Sequence, residues 1–258
     1  MSLATSNIIK AQNPSGEVVT FDPTAHTYRV GGRVLTSTTT LLSEYFEKFD
    51  TETISLRYAK KHNRSQEEVK KEWEEIRLEG ERRGTLVHDY AESLLKGEDL
   101  PEPEEPEDQL YFNCVNVAVV MLLKKFEFID AEWVIFSPRM GLGGMIDIWM
   151  RDRASKDYVL LDWKATNSLK DEPFNGRKAK GPINHLPDTD WTKYELQLNT
   201  YEKILRVEKY IHYDDRVRKG IIHIRPGPHK PHVGWHKVED RQAEVKGIIN
   251  DRLGQDSI

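Results

Sequence analysis

Three residues near the middle of the chain have the types and spacing that hydrolytic chemistry uses. Asp147 stands inside the apolar stretch "GGMIDIWM", and Asp162 and Lys164 close the run "VLLDWKAT". A carboxylate among apolar neighbours is costly unless it meets a partner or a metal ion. Residues two apart on a strand face the same side, so the Asp162 carboxylate and the Lys164 ammonium point together. If the turn "RDRASKD" makes the two strands antiparallel neighbours, Asp147 and Asp162 converge. Converging carboxylates suit Mg²⁺ or Mn²⁺, whose remaining positions take water and phosphate oxygens. A lysine beside such an ion can orient or deprotonate a water while the ion offsets charge on the phosphate. The alternative is a buried aspartate plus a surface ion pair of little energetic weight.

The elements around these residues read as an α/β fold, a central mixed sheet flanked by helices. Strands are expected at 131–137, 143–151 and 157–165, rich in the β-branched and apolar residues of a sheet covered on both faces. A polar excursion runs from 166 to about 190. The helix "DWTKYELQLNTYEKILRV" follows, then a strand pair at 219–225 and 232–238 and a last helix, "EDRQAEVKGIINDRL". Upstream, Thr38 to about Leu95 is mostly helical, with Val69, Trp73, Ile76, Leu86, Val87, Tyr90, Ala91 and Leu94 at helical spacing. Residues 109–128 form a helix that is apolar nearly all round and is expected to be buried. "HTYRVGGRVL" reads as a hairpin turning on Gly31-Gly32. The acidic, proline-rich "KGEDLPEPEEPEDQ" reads as a solvated loop. Residues 1–258 are taken as one domain, with a hairpin appendage (1–37), a helical part (38–128) and a core (129–258).

Composition narrows the partners. No stretch approaches the roughly 18 apolar residues of a membrane span, and "MSLATSNIIKAQ" lacks the pattern of a secretory signal. Cys114 is the sole cysteine, which excludes an intrachain disulfide, a cysteine zinc site and an iron–sulfur cluster built from this chain. A reducing compartment, cytosol or nucleus, is expected. A net charge of −5 argues against a general cationic coat, so a nucleic-acid partner must bind through a local patch or through metal ions. Lys164, Lys170, Arg177, Lys178 and Lys180, against Asp171 and Glu172, form a basic stretch able to track a phosphate backbone. Arg82 and Arg83 are a second candidate contact, and Phe174 and Trp163 are candidates for stacking on bases. The run "HIRPGPHKPHVGWH" holds His223, His229, His232 and His236, dense enough to bind zinc but without a cysteine or acid that completes a recognisable spacing. It reads as a hairpin with polar contacts.

Asp147 followed by Asp162-Trp163-Lys164 resembles the core of the PD-(D/E)xK nuclease superfamily. Two further motifs narrow the resemblance to its RecB-type exonuclease branch. The stretch from Gly84 through His88 to Glu92 looks like the helix that precedes the nuclease core in that branch, and Gln197 with Tyr201 matches its Gln-x-x-x-Tyr motif. Glu132 matches an acid that members often carry before the core strand. The order of these residues is that of the branch, which includes mitochondrial genome maintenance and CRISPR adaptation exonucleases and small nucleases of phages and large DNA viruses. With Cys114 alone, the chain resembles the members without an iron–sulfur cluster. The resemblance implies a restriction-endonuclease-like core and one or two Mg²⁺ or Mn²⁺ ions held by His88, Asp147, Asp162 and the main-chain carbonyl of Trp163. It implies that Lys164 positions the attacking water, with Glu92, Glu132, Gln197 and Tyr201 in support. The implied substrate is DNA, single-stranded or at its ends, in phage or viral recombination, replication or genome processing. A recombination or replication protein would be the companion and the host cytoplasm the setting. The same core supports a structure-selective endonuclease or nickase, and a catalytically silent DNA-binding module is the reading of another class.

Overall fold

The computed structural model describes residues 8–169, 172–227 and 230–255. Its framework is a mixed sheet of nine strands. The first four, β1 (Ile9–Gln12), β2 (Val18–Asp22), β3 (Thr27–Val30) and β4 (Arg33–Ser37), form an antiparallel meander. The β3–β4 turn sets Gly31 and Gly32 at φ 53° and 85°, a left-handed pair that residues without a Cβ adopt freely. The hairpin is not free-standing. Val19, Phe21, Tyr28 and Leu35 pack with Val134 and Phe136 of β5 (Phe126–Ser137). β4 also pairs in parallel with the start of β6 (Leu142–Asp152), at Thr36 with Leu142 and Ser37 with Gly143.

The topology around β6 builds the site. β5 lies along β6 from Ser137↔Leu142 to Phe126↔Asp152. A strand has two edges, so the second edge of β6 is divided: β7 (Tyr158–Lys164) takes residues 148–151 and β4 takes residues 142–143. Between those ladders β6 and β7 fork apart, and Asp147 lies at the fork. β7 continues in parallel with β8 (Val217–Pro226), and β9 (Pro231–Lys237) closes the sheet antiparallel.

The described residues form six α-helices, α1 (Thr38–Ser43), α2 (Thr51–His62), α3 (Gln66–Lys96), α4 (Asp108–Lys125), α5 (Asp190–Val207) and α6 (Gln242–Gln255), of which α2 packs on α3 and not on the sheet. α3 starts at a capping box of Ser65 and Glu68 and stops at Gly97, φ 72°. On one face Leu196 and Leu205 of α5 and Ile248 of α6 meet Ile146, Leu160 and Ile221. On the other Val87 and Ala91 of α3 and Phe112, Val115 and Val119 of α4 meet Ile148, Leu161, Trp163 and Ile222. The period-two alternation of β7 follows directly: Leu161 and Trp163 point to the α3–α4 layer, so Asp162 and Lys164 point to the α5 layer.

Two sequence expectations for 109–128 are corrected. The helix ends at the basic pair Lys124-Lys125, and the next strand begins at once at Phe126, without a connecting turn. Nor is α4 buried all round, since Leu110, Val117, Val120 and Met121 are 42–59 % exposed. Only the face carrying Phe112, Val115, Val119 and Leu122 meets the sheet. Among the described residues no helix is long and apolar enough to cross a membrane.

Candidate metal centre

Four elements deliver side chains to the fork. The β5–β6 register places Glu132 opposite Asp147, between the pairs Ala131↔Ile148 and Trp133↔Ile146. Glu132 has φ 47°, a left-handed conformation that costs a non-glycine residue roughly 1–3 kcal/mol. From α3, His88 Nδ1 reaches Glu132 Oε1 at 2.9 Å and Asp147 Oδ2 at 3.5 Å. Ligand atoms of His88, Glu132 and Asp147 all lie within 4.8 Å of one another, a spacing able to surround a small cation. Asp147 is held by the main chain as well: its Oδ2 accepts the amide hydrogen of Trp163 at 2.9 Å.

Asp162, on β7 beside this triad, is almost fully buried. Its Oδ1 accepts from Gln197 Nε2 at 3.3 Å, and Gln197 donates also to the Tyr201 hydroxyl at 3.0 Å. Lys164 Nζ stands 2.5 Å from Asp162 Oδ2 and offsets the charge of this buried carboxylate. One imidazole and three carboxylates fit Mg²⁺ or Mn²⁺ better than a thiolate-seeking ion. The sequence set His88, Asp147 and Asp162 as ligands, whereas the tight triad here is His88, Asp147 and Glu132, with Asp162 tied to Lys164 and Gln197.

Electrostatics agree with that fit. Burial alone would lower the His88 pKa, but the Asp147 charge and the contact with Glu132 outweigh it and hold it up at about 9. Burial drives Asp147 upward too, reinforced by Asp162 and Glu132. The His88–Asp147 pair therefore keeps at least one proton at neutral pH. An entering ion needs the imidazole neutral and the carboxylate ionised, so it must expel that proton. Ion affinity is expected to rise at least tenfold per pH unit between roughly pH 6 and 8. A flat affinity profile by isothermal titration calorimetry would mean that the ligands are already in their binding form.

α5 serves the centre along one face. Gln197 and Tyr201 sit one turn apart, and one turn earlier the Tyr194 ring lies under Lys164 Nζ, 4.6 Å from its centre. Sequence reasoning missed Tyr194, although its place three residues before Gln197 on a helix was a usable signal. Burial raises the Tyr201 pKa well above its ordinary value, so its hydroxyl stays protonated. Its ring rests on β6: a Cβ at Gly144 would lie 2.4 Å from Tyr201 Cε1. Gly144→Ala is therefore expected to cost about 2–3 kcal/mol through overpacking, read as a lower urea midpoint with unchanged slope. An unchanged midpoint would mean that Tyr201 moves aside freely.

The other sequence candidates fall elsewhere. Glu92 pairs with Lys96 at 2.5 Å. Arg82 binds Glu79, Glu104 and buried Asp108, while Arg83 binds Glu79, lies near Glu107 and stacks over Tyr111. In the structure these donors pair with carboxylates, and contact of either arginine with phosphate stays an expectation that a variant can test. Arg82→Ala is expected to lower stability by about 1–3 kcal/mol, because Asp108 loses its ion pair, read as a lower urea midpoint. An unchanged midpoint would mean that the arginine is free for a ligand. After β7, Arg177 meets Glu47 at 3.3 Å and covers the exposed Phe174 ring, while Lys178 and Lys180 are exposed. Lys170 lies outside the described residues.

No family model matches the chain, and no curated protein matches its sequence. A crystal structure from Eubacterium rectale, named "Putative exonuclease", superposes with a TM-score of 0.41 and 13% identity, over 67% of this chain and 65% of that one.

Proposed function

We propose that this protein is a Mg²⁺- or Mn²⁺-dependent deoxyribonuclease of the PD-(D/E)xK type that hydrolyses phosphodiester bonds from DNA ends. The observation that carries the reading is the fork at Asp147. There His88, Glu132 and Asp147 cluster next to a buried Asp162 oxygen whose neighbour is the Lys164 ammonium. His88, Glu132, Asp147 and Asp162 would hold one or two ions, with the main-chain carbonyl of Trp163 as a further ligand. When bound, such an ion supplies positive charge to the phosphate oxygens and acidity to a neighbouring water. Lys164 orients the attacking water and faces the charge that grows on the phosphate. Gln197 fixes the rotamer of Asp162, and the Tyr201 ring buttresses the strand that carries Asp147. Exposed Lys178 and Lys180 are the described basic residues after β7 available to a phosphate backbone, with Arg177 and, by sequence alone, Lys170 as further candidates. The end-directed reading rests on the order of the RecB-type motifs along the chain.

The test is digestion of end-labelled linear and of circular DNA, single- and double-stranded, with Mg²⁺, Mn²⁺ or EDTA. Degradation of linear DNA from an end, with circles intact and EDTA abolishing the reaction, is the expected result. Cutting of circles would replace the exonuclease by an endonuclease or nickase. Tight DNA binding without any cleavage would leave a binding module with a nuclease-type fold.

A further inference from the structure

The histidine-rich run plays no part in the centre described above, yet the sheet gathers three of its members; His229 lies outside the described residues. His223 stands on β8 opposite Gly234 of β9, and His232 and His236 flank that glycine along β9. The ring of His223 is 5.9 Å from that of His232 and 5.9 Å from that of His236. Imidazoles sharing one tetrahedral ion, through nitrogens ~2.1 Å from it, hold their ring centres about 5 Å apart. Gly234 makes this approach feasible. A Cβ there would lie 2.9 Å from His236 Nε2 and 3.7 Å from His232 Nε2, so both rings lean over the glycine from opposite sides. His223 Nε2 faces the Thr166 carbonyl oxygen at 2.7 Å. An N–H donated there fixes the tautomer and leaves Nδ1 with the free lone pair, the way a backbone carbonyl orients a ligating imidazole.

We propose that His223, His232 and His236 form a second metal site, for a borderline transition ion such as Zn²⁺ or Co²⁺. Among the described residues the site offers imidazole nitrogens and no carboxylate, which selects against Mg²⁺, an ion that seeks oxygen ligands. Its nitrogens stand wider apart than the ligand atoms of His88, Glu132 and Asp147, so an ion must draw them in by side-chain rotation. His232 is exposed and His236 half-buried, and both are free to make that movement. The location gives the site a structural role. His223 pairs in register with Lys164, and Arg225 Nη1 donates to the Asn167 carbonyl at 3.1 Å. An ion on His223 ties the segment that leaves β7 after Lys164 to the edge strand β9. The proposal does not depend on the nuclease reading.

The experiment is a Co²⁺ titration of the untagged full chain in excess Mg²⁺, which fills the carboxylate centre, followed by visible absorption and then by competition with Zn²⁺. The expected result is saturable binding with a tetrahedral-type Co²⁺ spectrum that Zn²⁺ erases. His236→Ala and His232→Ala each weaken it about tenfold or more, and His88→Ala leaves it unchanged. Gly234→Ala keeps all three histidines but fills the space over the glycine, and it is expected to weaken binding as well. Circular dichroism on each variant separates loss of the site from loss of the fold, and exposed His232 is the substitution least able to disturb folding. Binding that survives His232→Ala and His236→Ala, binding lost with His88→Ala, or no Co²⁺ spectrum at all would each overturn the proposal.

Discussion

On the proposed nuclease reading, Lys164→Ala is expected to cut DNA cleavage by about 10³-fold or more while leaving divalent-ion affinity equal or tighter. The two effects separate because of where the ammonium sits. Burial would lower the Lys164 pKa, but Asp162 and Asp147 outweigh it and raise it, so the side chain is a cation throughout the working range of pH. A lysine held as a cation orients and neutralises; it does not take a proton. Its Nζ also occupies the approach to Asp162 Oδ2 at 2.5 Å, and truncation frees that oxygen for an ion. Single-turnover cleavage beside isothermal titration of Mn²⁺ reads both quantities. If ion binding collapsed together with cleavage, Lys164 would be a structural support for Asp162, and its role toward water would be withdrawn. Lys164→Arg is expected to recover little, because a planar fork cannot replace a point charge above the Tyr194 ring.

Asp147→Asn is expected to abolish cleavage to a similar degree and, in EDTA, to make the protein more stable. Burial pushes the Asp147 pKa up to about 8 from an ordinary 3.8, with Asp162 and Glu132 adding to the rise and His88 opposing it. An acid whose pKa rises on folding holds a proton that the unfolded chain has released. It therefore costs stability above about pH 4, and the cost grows until the pH passes about 8. Asparagine is neutral and keeps an oxygen for the Trp163 amide. At pH 7.5 in EDTA the variant should gain on the order of 1–3 kcal/mol, or roughly 3–10 °C in Tm, and the gain should shrink toward pH 4. Mg²⁺ should raise the Tm of the parent protein and leave that of the variant in place. A lower Tm in EDTA would mean that the Asp147 charge holds His88 and the fold together, which the pKa direction contradicts.

The parts of this arrangement that were legible in the chain are those governed by periodicity. Alternation along "VLLDWK" separates Asp162 and Lys164 from Leu161 and Trp163, and the structure keeps that division. The i, i+4 spacing of Gln197 and Tyr201 likewise becomes a hydrogen bond. Glu132 was harder, because its left-handed backbone leaves no trace in residue type. Counting outward from the turn between Ser137 and Leu142 nevertheless places it opposite Asp147. The ion pairs of Arg82 and Arg83 were not legible for a different reason. A cation facing solvent and one facing a carboxylate look alike in sequence, and the partners Glu104, Glu107 and Asp108 come from the acidic stretch further along the chain. α4 was misread because apolar composition reports what a helix can cover, whereas its exposure depends on how much sheet lies beneath it.

Trp163 joins two regions that protein engineers usually treat as separable. Its indole is wedged among α3, α4 and β8, and its amide holds the Asp147 carboxylate at 2.9 Å. A library that varies Val87, Phe112 or Ile222 to gain heat resistance would shift that amide, and so would be screening turnover without intending to. Val19, Phe21 and Leu35 pack instead on Val134 and Phe136 of β5, the strand that carries Glu132, so substitutions in the N-terminal meander reach the centre through a different ligand.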